Sequence, residues 1–140
     1  MIQKAITRLG NDNIMVEAQA LQVLMSRVVS PLTPLTSVAW TAAAKSAADN
    51  AQLDTSVVFG APANIKGAFV FLQVTDATAD RRAQIETTTG VGAVVEARVQ
   101  VANISTASSG YVPCDANGDF WIDFNGAIAT VTLGIIAYVI

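Results

Sequence analysis

From Asp119 to Phe124 apolar and polar side chains alternate residue by residue. An extended strand has a period of two, so Phe120, Ile122 and Phe124 share one face and Asp119, Trp121 and Asp123 the other. Asn-Gly pairs bracket this run at Asn117-Gly118 and Asn125-Gly126. Asn-Gly is the strongest short hairpin signal, because a type I′ turn needs positive φ at both central residues. The pattern predicts an antiparallel meander of three strands over residues 109–140, with one apolar face. Its last strand, residues 127–140, is apolar on both faces from Val131 onward and therefore needs cover on both sides.

Earlier segments are less uniform. Ile14, Ala18, Leu21, Met25 and Val28 recur at helical spacing. Alternation at Ile14, Val16, Ala18 and Ala20, continued one register over by Leu21, Val23 and Met25, fits a strand with a bulge near Ala20 equally well. The good helix formers of residues 17–22 favour a helix. Pro31 and Pro34 end any such helix and impose extended geometry. Residues 1–36 thus read as an N-terminal arm or docking segment, and residues 37–140 as the folded body.

Within the body, residues 37–42 read as a short strand and the alanine-rich residues 42–51 as a helical turn or a surface loop. Residues 53–59 read as a strand stopped by Gly60-Ala61-Pro62. Residues 68–75, apolar on both faces, form the best strand of the first half. Residues 81–88 alternate weakly and read as a peripheral strand. Residues 94–102 place Val95, Ala97, Val99 and Val101 inward, and residues 103–110 read as a polar loop. About eight short strands with turn signals every ten or so residues indicate an all-β fold, a β-sandwich or jelly roll.

Composition changes this picture in one respect. Hydrophobic residues make up 52% of the 140 and charged residues only 14%, against roughly 25% charged in an ordinary soluble domain. So little charge suggests that other subunits cover part of the surface. Net charge is −3, and no basic stripe exists, which argues against nucleic acid as a partner. The single cysteine, Cys114, reads as a small apolar strand residue without an internal disulfide partner. The first thirteen residues lack the apolar core of a signal peptide, and the longest apolar run is too short for a membrane helix. The expectation is a protein made in the cytosol with no export or membrane address.

Histidine is absent, which removes the commonest general base and metal ligand. The run Asp115-Ala116-Asn117-Gly118-Asp119 starts like a calcium loop but carries Phe120 and Gly126 where glycine and glutamate belong. A turn explains it better. Asp119 and Asp123 share a face, yet four residues of strand separate their Cα atoms by about 13 Å. Glycosidase carboxylates sit roughly 5–9.5 Å apart. Gly90-Val91-Gly92 lacks the context of a phosphate loop. No catalytic, cofactor or metal residue is expected. Trp121 reads first as an interface anchor, with Ile14, Leu21, Met25 and Val139 as further interface candidates. Trp121 with Asp119 and Asp123 is the carbohydrate-stacking alternative. Trp40 is assigned to the core or to the mouth of the linker.

The body also resembles a known class of module. Trp40-Thr41, the run from Phe59-Gly60-Ala61-Pro62 into Phe69-Val70-Phe71-Leu72, Tyr111-Val112-Pro113, Phe120-Trp121-Ile122 and a closing Gly134-Ile135-Ile136-Ala137-Tyr138 together carry the likeness. The pattern is similar to small β-sandwich virion proteins of tailed bacteriophages, such as head decoration (cement) proteins and head or tail fibre modules. The resemblance covers residues 37–140 and is one of strand pattern. It implies a virion location and a symmetric homo-oligomer, often a trimer, bound to the major capsid protein or another virion protein. It transfers no functional residue.

Overall fold

The structure, a computed structural model, describes residues 27–140. Its strands are β1 (Val28–Val29), β2 (Ala43–Lys45), β3 (Ala51–Asp54), β4 (Gly67–Thr75), β5 (Arg82–Glu86), β6 (Val95–Arg98), β7 (Thr106–Pro113), β8 (Asp119–Phe124) and β9 (Ile128–Val139). One short helix, α1 (Thr55–Phe59), interrupts them. The strands form two antiparallel sheets. Sheet A runs β1-β9-β4-β7, with β2 also on β9, and sheet B runs β3-β8-β5-β6. The all-β sandwich expected from the pattern is the architecture found.

The core lies between the sheets. Sheet A contributes Ala68, Val70, Leu72 and Val74 from β4, Val112 from β7, and Val131, Leu133 and Ile135 from β9. Sheet B contributes Leu53, Ala83, Ile85, Val95, Ala97, Phe120, Ile122 and Phe124. Two aromatic stacks close its ends: Phe59 on Phe120 and Trp40 on Phe124, each with ring centroids 6.3 Å apart. Trp40 is therefore a core residue, and Lys45 Nζ sits 4.2 Å from its ring centroid. Facing apolar strand surfaces supply the main driving force, since removal of apolar area from water scales with the area buried.

The meander does not form. β8 pairs with β3 and β5 in sheet B, whereas β7 and β9 each pair with β4 in sheet A. The chain crosses from one sheet to the other at both Asn-Gly corners. At the first corner Gly118 N donates to Asp115 O (3.1 Å) and Asp115 N donates to Asp119 O (2.9 Å). Only Gly118, at φ +91°, is left-handed there, so the turn is not type I′. At the second, neither residue has positive φ. Asn125 instead accepts from Arg82 N through Oδ1 (2.9 Å) and donates from Nδ2 to Asp80 O (2.9 Å). Its side chain extends the β8–β5 ladder by imitating a peptide group.

Other local expectations shift as well. The run expected as a strand over residues 53–59 turns helical after Asp54. Asp54 accepts from Ser56 N (2.9 Å) and Val57 N (3.1 Å) as the N-cap, and Gly60 ends the helix at φ +72°. The β-branched Val57 and Val58 obscured these caps. Residues 38–40 form a 3-10 turn, the expected polar loop contains most of β7, and the alanine-rich stretch contains β2 as well as the helical turn expected there, a 3-10 turn at Ala47–Asp49. β5 lies inside sheet B, between β8 and β6, and is not peripheral. Val101 is 61% exposed, because β6 ends at Arg98 and the alternation no longer tracks a sheet face.

The proline-containing linker also belongs to the sheet. Val28 pairs with Val139, Val29 with Tyr138, and Leu35 with Ile135. Leu35 and Ile135 exchange two backbone hydrogen bonds of 2.8 Å. Residues 27–36 of the expected arm thus run along the edge of β9. Val28, the last apolar position of the helix-or-strand stretch, is in a strand, and residues 14–26 lie outside the described residues.

Phe120→Ala should lower unfolding free energy in urea by roughly 3–5 kcal/mol, the usual loss for a buried phenylalanine. Val101→Ala, identical in alternation but exposed, should change it by less than about 0.5 kcal/mol.

Candidate functional site

Two outward faces carry the chemistry. That of sheet B is polar. β8 presents Asp119, Trp121 and Asp123, flanked in register by Asp54 and Gln52 on β3 and by Glu86 and Gln84 on β5. Trp121 is half-buried between Gln52 and Glu86.

The carboxylates of this face are mostly engaged with the protein itself. Asp115 Oδ1 accepts from Asn117 N (2.8 Å) and Asp119 N (3.0 Å), which tightens its own turn. Gln52 Nε2 donates to Asp115 Oδ2 (3.0 Å) and to Asp119 Oδ2 (3.2 Å), so one neutral amide bridges two acids. The start of the calcium-like loop is thereby consumed as a turn, and no group of three or more His, Cys, Asp or Glu among the described residues is arranged for a metal. Glu86 is buried and accepts from Gly90 N (2.7 Å), which holds the Gly90-Val91-Gly92 loop. Glu96 accepts from Gln84 Nε2 (2.8 Å) and faces Arg98 Nε at 3.4 Å.

Electrostatics follow from this crowding. Burial, then the charges of Asp115 and Asp54, raise the Asp119 carboxyl above the ordinary carboxylate range. Burial first, with Asp115 and Asp119 adding, pushes the Cys114 thiol up to about 12. Cys114 is thus a protonated, half-buried thiol and a poor nucleophile at neutral pH. Asp119 and Asp123 are not brought together: Asp119 pairs with Asp54, and Asp123 with Gln84.

The outward face of sheet A is different in kind. β4, β7 and β9 contain no charged residue. Phe69 (38% exposed), Tyr111 (39%) and Ile136 (41%) stand on it together. Phe69 and Tyr111 are paired across β4 and β7 with ring centroids 5.1 Å apart. A bulge produces Ile136: Phe69 pairs with Ala137 but Val70 with Ile135, so Ile136 is the extra residue and is turned outward. Beside them lies a groove of about 350 Å³ lined by Pro34, Phe71, Thr132, Gly134 and Ile136. Gly134 forms its floor, where an added Cβ would lie 3.3 Å from Leu35 O.

The first interface candidate of the sequence does not lie on this face of β4, β7 and β9. Trp121 is on the polar face. Val139 is half-buried in β9 between Val28 and Gly67, and Ile14, Leu21 and Met25 lie outside the described residues. Phe69, Phe71, Tyr111 and Ile136 carry part of the strand-pattern likeness but were not among the site candidates. Their signal was the two-sided apolar character of residues 68–75 and of the last strand; among the described residues the opposing sheet covers one of those faces and leaves Phe69, Tyr111 and Ile136 partly exposed on the other.

Comparison of the chain with protein-family models, with curated proteins and with solved structures finds no match. No helix among the described residues is long and apolar enough to cross a membrane.

Because the folded pKa of Asp119 is raised, its ionisation subtracts stability as pH rises through that titration. Asp119→Asn should therefore raise the melting temperature at pH 7, with the gain shrinking toward zero below the ordinary carboxylate range. Differential scanning calorimetry from pH 3 to pH 7 measures this, and a lower Tm at pH 7 would contradict the cost of ionising Asp119 in this half-buried, acidic setting.

Proposed function

We propose that this chain is a non-enzymatic structural subunit of a tailed-bacteriophage virion, a capsid decoration or cement protein that oligomerises and stabilises the head. The observation that carries the reading is the uncharged outward face of sheet A, with its three large exposed apolar side chains and groove. Such a patch on a small domain is the mark of an interaction surface. The strand-pattern resemblance supplies the virion context. Its action would be burial: a standard interface hides about 1,600 Å², and repeated symmetric contacts on a shell add avidity. Subunits clamping neighbouring capsid proteins raise the barrier to shell rupture.

With residues 27–36 committed to β9, the docking role proposed for the arm falls to residues 1–26. A head or tail fibre module that binds host-surface carbohydrate is the second reading. The half-buried Trp121 between Gln52 and Glu86 favours it, as an aromatic platform with polar neighbours suits a sugar ring.

Light scattering of the purified chain should give a multiple of 14.6 kDa, and addition to undecorated heads should raise their rupture temperature. A monomer that leaves rupture unchanged contradicts the decoration role. On a glycan array the structural reading expects no specific binding. Binding that disappears in Trp121→Ala would establish the carbohydrate reading instead.

A further inference from the structure

We infer that the outward face of sheet A, not the Trp121 face, is where this chain meets a second copy of itself. The inference rests on the oligomeric reading above and assigns its surface.

Charge decides between the two faces. Two copies meeting through sheet B would bring Asp54, Asp119, Asp123 and Glu96 against the same acids, with only Arg82 and Arg98 in those strands to oppose them. Juxtaposed like charges are costly at an interface. Two copies meeting through β4, β7 and β9 bring no charges together, because those strands contain none. The same absence makes the face a poor site for nucleic acid.

Shape agrees. Phe69 and Tyr111 stand partly exposed beside the groove, whose wall is formed by Ile136 and which Gly134 also lines. A protrusion next to a recess on one surface is the self-complementary arrangement that a two-fold contact uses, each copy's protrusion entering the other's recess. Three strands and the edge strip of residues 28–36 span roughly 19 Å at about 4.8 Å per strand, and a strand of about eight residues runs some 26 Å, giving roughly 500 Å² in plan. Two such faces hide about 1,000 Å², the low end for a specific interface, which makes the contact one that dissociates on dilution.

The full chain tests this by sedimentation equilibrium and by hydroxyl-radical footprinting of Tyr111, with the half-buried Tyr138 as internal comparison. The expected result is an oligomer whose Tyr111 is protected at high concentration and becomes modified on dilution. Phe69→Lys and Ile136→Lys should each weaken association by at least about tenfold, with far-UV circular dichroism unchanged, while Trp121→Lys leaves the mass as it was. If the wild-type chain is monomeric at every concentration, both this assignment and the oligomeric reading fail. If it is oligomeric but dissociates with Trp121→Lys and not with Phe69→Lys, only the assignment fails. Should both lysine variants unfold, the wild-type footprint decides: Tyr111 modified equally at all concentrations overturns the proposal. Tyr111 protected even when dilute, and exposed on deletion of residues 1–26, also overturns it, because the chain's own N-terminal residues would then occupy the face.

Discussion

β9 is the strand that every other part of sheet A depends on. β4 pairs with it from Gly67 to Thr75 on one side. On the other side the chain lays down β1, the Leu35 bridge and β2 in succession. Both edges of the strand are used, so its backbone groups are satisfied without exposing a long sticky edge. This also explains the prolines. Pro31 and Pro34 lie in an edge strip that contacts β9 only intermittently, where a missing donor costs little.

The two sheets divide labour by charge. Sheet B carries nearly all the charged strand residues, and its acids are tied into turns, amide bridges and a loop anchor. In sheet A, β4, β7 and β9 are uncharged on both faces, and the sheet's charge is Lys45 of β2, packed on Trp40. The interior demand is met by the opposing sheet, while Phe69, Tyr111 and Ile136 remain outside that core. The bulge in β9 sharpens the contrast, since it lets the adjacent Ile135 and Ile136 point to opposite faces, one wholly buried and one exposed.

Much of the fold was legible. Alternation at Phe120, Ile122 and Phe124 placed all three in the core, and Val95, Ala97 and Val99 likewise. The sandwich class followed from strand number and spacing. Less of the candidate site was legible. Trp121 stood out because an aromatic between aspartates is conspicuous, whereas Phe69 and Phe71 sat in a run apolar on both faces, where nothing local separates a buried face from an exposed one.

Periodicity of two determined which side chains share a face, and Gly60 marked where the segment before it ends, although the cap at Asp54 was masked by its β-branched neighbours and residues 55–59 read as strand. Both are short-range effects carried by adjacent residues. Only the tertiary structure decided which strands pair, that β8 leaves the sheet of its sequence neighbours, and which apolar face is turned away from the core among the described residues. Pairing partners are chosen by the summed burial and ladder bonding of segments distant in sequence, so an Asn-Gly corner marks a turn without specifying which sheet the chain enters next.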